Sequence, residues 1–134
     1  MAQVAVLIVS HSKSLAEGVK ELALQMARAQ NSVWAVGGTD DARIGTSAPA
    51  IHAALEKALA SAASVVVLMD LGSAYLNTVM ALEMLSPEAQ KRVFLADAPL
   101  VEGAILAVVA ATSGDGPADV RARAEEARDM RKVM

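Results

Sequence analysis

The chain has 134 residues, of which 54% are hydrophobic and 20% charged, a length and composition that predict one compact globular domain spanning residues 1–134. It contains no cysteine and only two histidines, which excludes disulfides and thiolate chemistry and argues against a metal cluster. The net charge of −3 does not suggest a nucleic-acid-binding protein.

The N-terminal apolar stretch is short and has neither a basic leader nor a small-residue cleavage site after it, so we do not expect a signal peptide. A membrane-spanning helix needs about eighteen apolar residues, and the longest apolar stretch, GAILAVVAAT at 103–112, is shorter than that. The sequence predicts a soluble cytoplasmic protein that does not contact membranes.

The chain is predicted to begin with a strand and a helix. The β-branched run QVAVLIVS, residues 3–10, is typical of a parallel strand buried on both faces. Ser14 and Glu17 have the spacing of a capping box and predict the start of the helix. The apolar residues expected on its core-facing side are Leu15, Val19, Leu22 and Met26.

A second strand and helix follow, separated by a long polar loop. The stretch SVWAVGG, residues 32–38, predicts the strand, and TDDARIGTS, residues 39–47, predicts the loop. Thr46 or Ser47 is placed to cap a helix whose core-facing residues are Ile51, Leu55 and Leu59. Long loops in compact domains are often functional.

The remaining sequence predicts two further strands and three helices. SVVVLMD, residues 64–70, is a second continuous buried strand, and RVFLAD, residues 92–97, is a weaker one. The inner side of the helix after residue 70 is predicted to carry Leu76, Val79, Met80 and Leu85. A further helix is marked by Val101, Ile105 and Val108, and a last one begins at about Pro117.

This fourfold alternation of strand and helix predicts an α/β fold. We expect a doubly wound, mostly parallel sheet with strand order 2-1-3-4, helices on both faces, and the option of an extra edge strand. That order places strands 1 and 3 side by side, and ligand sites form beyond the carboxyl ends of the strands at such a switch point.

Two candidate catalytic residues fall at this point. His11 follows strand 1 and Asp70 follows strand 3, so the predicted order makes them neighbours. A carboxylate beside an imidazole fixes the tautomer and leaves the other ring nitrogen free as a nucleophile or acceptor. Helix starts are predicted near 12–14 and 72–73, and their unpaired N–H groups favour an anion. The pattern points to a phosphoryl group on or near His11.

Other chemistries fit the sequence poorly. DLGSA, residues 70–74, is not the G-x-S-x-G of a serine hydrolase, and G-x-G-x-x-G is absent after the first strand. A response-regulator receiver would carry an acidic pair where this chain has Ser10-His11-Ser12. His52 has no partner in the sequence and is expected to be structural or exposed, Trp34 to pack, and Glu102 to complement a helix dipole.

Four motifs in order carry a resemblance to a known family. VLIVSHSKSLAEGVKELALQMA, IGTS, VLMDLGSAYLNTVMALEML and APLVEGA resemble the phosphotransferase subunit of phosphoenolpyruvate-dependent dihydroxyacetone kinase, and the similarity covers nearly the whole chain. The fold of that family belongs with the mannose-type IIA domains of the bacterial sugar phosphotransferase system, which are homodimers. The resemblance therefore implies a homodimer.

The resemblance also implies a phosphate relay. His11 would receive phosphate from the histidine phosphocarrier protein and pass it to ADP on the nucleotide-binding subunit of the kinase, with Asp70 as the acid beside it. The residues expected to bind phosphate or partners are Ser12, Gly38, Thr46, Gly72 and Ser73. This chain would hold no metal or cofactor of its own, because ADP or ATP and magnesium would belong to the partner subunit.

Two other functions stay open. A mannose-type sugar IIA domain would donate to a IIB domain, although such a domain is expected to carry GGSP where this chain has LGSAYLN. A regulatory module that binds a partner according to its phosphorylation state is the other possibility.

Two further expectations follow from comparison with the family. Larger family members append carrier-like domains, so we expect this chain to rely on separate carrier proteins. In the loop, we expect Asp40 and Asp41 to face solvent or a partner.

Overall fold

The structure is a computed structural model that describes residues 2–26 and 32–134. Its strands are β1 (Ala2–Ser10), β2 (Val33–Gly37), β3 (Ala62–Met69) and β4 (Val93–Leu95). Its helices are α1 (Lys13–Met26), α2 (Ala48–Ser61), α3 (Gly72–Glu83), α4 (Pro87–Gln90), α5 (Leu100–Thr112) and α6 (Pro117–Glu125). A 3-10 helix, Glu126–Asp129, follows α6. The short α4 was not predicted from the sequence.

The four strands form one parallel sheet in the order β2-β1-β3-β4, which confirms the predicted fold and strand order. Within the described ranges the sheet has no fifth strand. In the register, Ser10 pairs with Gly37 of β2, and Val9 pairs with Met69 of β3. The carboxyl ends of the three strands therefore meet at one edge.

Two hydrophobic layers cover the sheet, one on each face. Alternate residues of β1 enter different layers: Ile8 belongs to the layer that includes residues of α1, α5 and α6, whereas Leu7 belongs to the layer that includes residues of α2 and α3. Both side chains are fully buried. Because β1 is covered on both faces, its sequence is an unbroken apolar run instead of an alternating one.

The predicted core-facing side of α1 is wrong. Leu15, Leu22 and Met26 are exposed, whereas the buried residues of α1 are Ala16, Val19 and Ala23. The prediction assigned the large apolar residues to the core. In the structure, small alanine side chains face the core instead, and they let α1 lie close to the sheet and to helix α5. Of the predicted set, Val19 alone faces the core.

The predicted inner side of α3 is also mostly wrong, for the same reason. The buried residues of this helix are Ala74, Thr78 and Ala81, while Leu76 and Met80 are exposed. Val79 is half-buried, and Leu85, which lies just beyond the helix, is buried as expected. By contrast, the three residues predicted for α2 are all buried, namely Ile51, Leu55 and Leu59. In α5, Val108 is buried, Ile105 is half-buried and Val101 is exposed.

None of the helices in the described ranges is both long and apolar enough to cross a membrane.

A close backbone contact fixes the sheet edge where the strands end. A Cβ added at Gly37 would lie 2.6 Å from the carbonyl oxygen of Ser12 and 2.9 Å from that of Ser10. Both contacts are with backbone atoms, which have little freedom to move. The absence of a side chain at Gly37 therefore lets the end of β2 lie against the turn between β1 and α1.

This contact predicts opposite effects for two glycine-to-alanine substitutions. Gly37→Ala should lower the free energy of unfolding by about 1–3 kcal/mol, because its Cβ overlaps backbone atoms. Gly18→Ala is the matched control, because the added Cβ of Gly18 in α1 would meet nothing within 4 Å apart from its chain neighbours and the backbone of its own helix. This change should stabilise by up to about 1 kcal/mol. Urea denaturation measures both, and equal stabilities for the two variants would contradict the account.

Candidate functional site

His11 and Asp70 lie side by side at the carboxyl edge of the sheet. His11 follows the last residue of β1, and Asp70 follows the last residue of the neighbouring strand β3. Nδ1 of His11 lies 2.8 Å from Oδ1 of Asp70. The structure thus brings together the two residues that the strand order placed next to each other.

The Asp70 carboxylate accepts four hydrogen bonds from both strand ends. Besides Nδ1 of His11, the donors are the Ser10 hydroxyl at 2.8 Å, the His11 backbone N–H at 2.9 Å and the Leu71 backbone N–H at 2.7 Å. Sequence reasoning missed this role of Ser10. The available signal was a hydroxyl residue at the end of an otherwise apolar strand, directly before the histidine.

These contacts keep Asp70 ionised at neutral pH. Burial raises the pKa of Asp70, but hydrogen bonds from His11, Ser10 and Leu71 outweigh burial and hold the pKa below its ordinary value. An ionised carboxylate can only accept hydrogen bonds, so Nδ1 of His11 is the protonated ring nitrogen. In the neutral ring with this tautomer, Nε2 is the nitrogen that carries the unshared electron pair.

The other ring nitrogen faces the start of α3. Nε2 of His11 contacts Oγ of Ser73, and 17% of the His11 side-chain surface is exposed to solvent. Gly72 is the first residue of α3, and its added Cβ would meet nothing within 4 Å apart from its chain neighbours and the backbone of its own helix. Unpaired N–H groups at a helix start favour an anion. A group bound to Nε2 would therefore lie beside Ser73 and the open space at Gly72.

Ser12 caps α1, which corrects the predicted helix start. The Oγ of Ser12 accepts from the Leu15 N–H at 3.1 Å, and the helix begins at Lys13, so Ser14 lies inside the helix and is not its cap. The backbone N–H of Ser12 donates to Oγ of Ser10 at 3.0 Å. The turn that carries His11 is thus held from both ends.

Loop 39–47 contacts the backbone of His11. Gly45 donates its N–H to the His11 carbonyl at 2.8 Å, and Nδ2 of Asn77 in α3 donates to Oγ1 of Thr46. Gly38 begins this segment with a φ of +83°, a left-handed conformation that favours glycine. Gly38 thus shapes the base of the loop, and Thr46 faces α3. Gly45 and Asn77 were not predicted as site residues.

Two grooves flank the site. One, of about 590 Å³, lies between the start of α1 and loop 39–47 and is lined by residues that include Ser12 and Gly38. The other, of about 520 Å³, lies beside Asp70 towards β4 and is lined by residues that include Gly72 and Tyr75. The grooves are thus lined by residues next to His11, Ser12 on one side and Asp70 on the other.

The remaining candidates lie outside this arrangement. Asp40 and Asp41 are exposed, and their partners lie in the same loop. Asp40 accepts a hydrogen bond from the Ser47 hydroxyl at 2.8 Å, and Asp41 forms an ion pair with Arg43 at 2.8 Å. Ser47, and not Thr46, caps α2, since its Oγ accepts from the Ala50 N–H at 3.2 Å.

Two further residues have partners that sequence reasoning did not assign. His52 is half-buried and lies 3.4 Å from Glu56, one helical turn later, so the expectation that it lacks a partner is wrong. Glu102 lies in the first turn of α5, and its contact with Lys132 lowers its pKa. Trp34 packs against the layer formed with α2 and α3, as predicted.

Residues 5–121 match the EIIA-man family model, described as the PTS system fructose IIA component. Curated relatives include phosphoryl donor subunits, DhaM, of PEP-dependent dihydroxyacetone kinases. The protein from Escherichia coli K12 is 48% identical over 80% of this chain and 23% of its own length, and that from Providencia stuartii is 44% identical over 87% and 24%. The chain thus spans about a quarter of the length of these two relatives.

A shorter relative and two solved structures match over most of their length. A DhaM subunit of Listeria innocua is 36% identical over 79% of this chain and 84% of its own length. The crystal structure of a protein of unknown function has a TM-score of 0.80 at 34% identity, covering 93% of this chain and 95% of the other. A phosphotransferase system EIIA component from Streptococcus agalactiae has a TM-score of 0.70 at 16% identity over 97% of both chains, which shows a shared fold.

The hydrogen bonds to Asp70 predict a pH-dependent contribution to stability. Asp70→Asn should lower the free energy of unfolding by about 1–3 kcal/mol at pH 7, because it removes a charged acceptor of four bonds. Since folding lowers the pKa of Asp70, this contribution is complete above the ordinary aspartate value of about 3.9 and is lost as the pH falls through the lowered pKa.

Urea denaturation of wild type and variant between pH 7 and pH 3 measures this difference. Asp129→Asn is the control, because Asp129 is exposed and distant in sequence from the site. A difference for Asp70→Asn that stays constant as the solution is acidified would contradict the role given to the carboxylate.

Proposed function

The chain belongs to the EIIA-man family of phosphotransferase-system components, and we propose that it is a phosphohistidine carrier that passes phosphate from the histidine phosphocarrier protein to ADP on the nucleotide-binding subunit of a dihydroxyacetone kinase. One observation carries this proposal: Asp70 holds Nδ1 of His11, so that Nε2 faces Ser73 and the open start of α3. The names of the curated relatives support the choice of dihydroxyacetone kinase as the acceptor.

In the first transfer, Nε2 of His11 attacks the phosphorus carried by the donor's phosphohistidine. The new P–Nε2 bond uses the Nε2 electron pair, and the electron pair of the breaking P–N bond returns to the donor's ring. The proton on Nδ1 stays in place, so the His11 ring becomes positively charged. The ionised Asp70, 2.8 Å from Nδ1, stabilises that charge.

In the second transfer, an oxygen of the ADP β-phosphate attacks the same phosphorus. The P–Nε2 bond breaks, and its electron pair returns to Nε2, which regenerates the neutral ring with its proton on Nδ1. The positive charge of the phosphorylated ring makes this nitrogen a better leaving group. ADP and any magnesium arrive with the acceptor subunit, and this chain contributes position and electrostatics.

Hydroxyl and backbone groups around Nε2 complete the proposed phosphate environment. Ser73 lies against Nε2, and the first N–H groups of α3 at Gly72 favour the negative charge of the phosphoryl oxygens. Ser12 and Thr46 flank the site with hydroxyl groups, and Gly38 shapes the loop beside it. We assign these five residues to phosphate or partner binding.

The surface beside His11 supports docking by partner proteins. Five large apolar side chains on or next to α3 are between 49% and 63% exposed, namely Leu71, Tyr75, Leu76, Met80 and Met84. Contiguous apolar surface of this kind marks interaction sites. We propose that both the phosphocarrier protein and the nucleotide-binding subunit reach His11 across this part of the molecule, in the cytoplasm. We also propose that the chain forms a homodimer, as its resemblance implies.

The first functional prediction concerns the phosphorylated residue. Incubation with phosphoenolpyruvate, the histidine phosphocarrier protein and the protein that phosphorylates that carrier should give acid-labile phosphate on the wild type. His11→Ala should carry none, because the only proposed acceptor nitrogen is lost. His52→Ala is the matched control, since it removes the other histidine and should label normally. Equal labelling of wild type and His11→Ala would exclude His11 as the carrier.

A second functional prediction concerns the acceptor. With the cognate kinase subunits, ADP and dihydroxyacetone, the phosphorylated protein should yield dihydroxyacetone phosphate at a rate that falls to background with His11→Ala. Sugar IIB domains serve as the competing acceptor in a parallel reaction. Transfer to a IIB domain and not to the kinase subunits would replace the proposal with the sugar-transport function. If His11 is labelled but the phosphate passes to neither acceptor, the result would favour a regulatory module.

A further inference from the structure

Asn77 connects helix α3 to the loop that holds His11. Its Nδ2 donates to Oγ1 of Thr46, which lies 31 residues earlier in the chain. The residue before Thr46, Gly45, donates its N–H to the carbonyl oxygen of His11 at 2.8 Å. A side chain of α3 is therefore linked through the loop to the main chain of the residue that we propose is phosphorylated.

The same face of α3 also contacts the His11 ring. Ser73 and Asn77 are four residues apart, so they lie on one side of the helix, one turn from each other. Ser73 contacts Nε2 of His11, while Asn77 contacts the loop. The contacts form a closed path from His11 through Gly45, Thr46, Asn77 and Ser73 back to the His11 ring.

The local sequence gives no reason for asparagine at this position. Asparagine is unfavourable inside helices because its amide competes for backbone hydrogen bonds. The neighbouring Thr78 satisfies its hydroxyl within the helix, on the carbonyl of Ala74 at 2.7 Å. Asn77 is half-buried and makes its hydrogen bond outside the helix. The unfavourable local preference is thus offset by a contact with the loop.

We propose that Asn77 is a positioning residue for phosphoryl transfer, an inference that rests on the function proposed for His11. By fixing Thr46, Asn77 keeps Gly45 on the His11 carbonyl while Asp70 holds the His11 backbone N–H and Nδ1. The main chain of His11 is then held on both sides, and Nε2 has one orientation towards the incoming phosphorus. In-line transfer depends on such placement.

The test compares Asn77→Ala with Glu83→Ala, a control at the exposed end of α3. Phosphorylation of His11 by the phosphorylated carrier protein is measured at varied carrier concentration, well below the unfolding temperature of both variants. Asn77→Ala should lower kcat about fivefold, the factor that one hydrogen bond of average net strength represents, and leave KM for the carrier unchanged. Glu83→Ala should retain the wild-type kcat.

Hydrogen exchange of the Gly45 amide gives a second readout that does not depend on phosphate transfer. In Asn77→Ala this amide should exchange faster, because the loop is released from α3, while amides of β1 and β3 keep their protection. An unchanged kcat, or an increase in KM at unchanged kcat, would overturn the positioning role, and so would unchanged protection of Gly45. Labelling of His11→Ala would defeat the proposed function instead, and the exchange experiment would still decide whether Asn77 fixes the loop.

Discussion

The carboxylate of Asp70 connects the two central strands of this domain where they end. It accepts hydrogen bonds from Ser10 and from the backbone and ring of His11 on the β1 side, and from Leu71 on its own side. These donors lie on two segments that are about sixty residues apart in sequence. One ionised group therefore joins the two strand ends and orients the histidine so that its second ring nitrogen faces Ser73. The same side chain has a structural role and a chemical one.

The remaining parts of the site depend on that geometry. With Nδ1 held by Asp70, Nε2 lies against Ser73 at the start of α3. Gly37 permits the close approach of β2 to the turn that carries His11, and Gly45 binds the His11 carbonyl from the loop. A phosphoryl carrier needs a nucleophile that is fixed yet accessible to two partners. The strand end supplies the fixed backbone, and the His11 side chain keeps 17% of its surface exposed.

The sequence predicted the fold and the central pair because both follow from strong patterns. Unbroken apolar runs such as 4–9 and 65–68 are characteristic of parallel strands. Their alternation with helices predicted a doubly wound sheet, and the common strand order of such sheets, which the structure has, makes His11 and Asp70 neighbours. The helix faces of α1 and α3 were mostly wrong because alanine, which has little weight in a hydrophobic pattern, fills the close contacts with the sheet. Gly45 and Asn77 were missed because their contacts join distant segments, and the conformation of a loop is not encoded by periodicity.

The central claim is that Asp70 holds the proton on Nδ1 of His11 and leaves Nε2 to carry the phosphate. The most direct measurement is ¹⁵N and ³¹P NMR of the His11 ring, before and after phosphorylation by the carrier protein. The account predicts a protonated Nδ1 and an unprotonated Nε2 in the free protein, and phosphorus coupling to Nε2 in the phosphorylated one. A proton on Nε2 in the free protein, or phosphate on Nδ1, would contradict it.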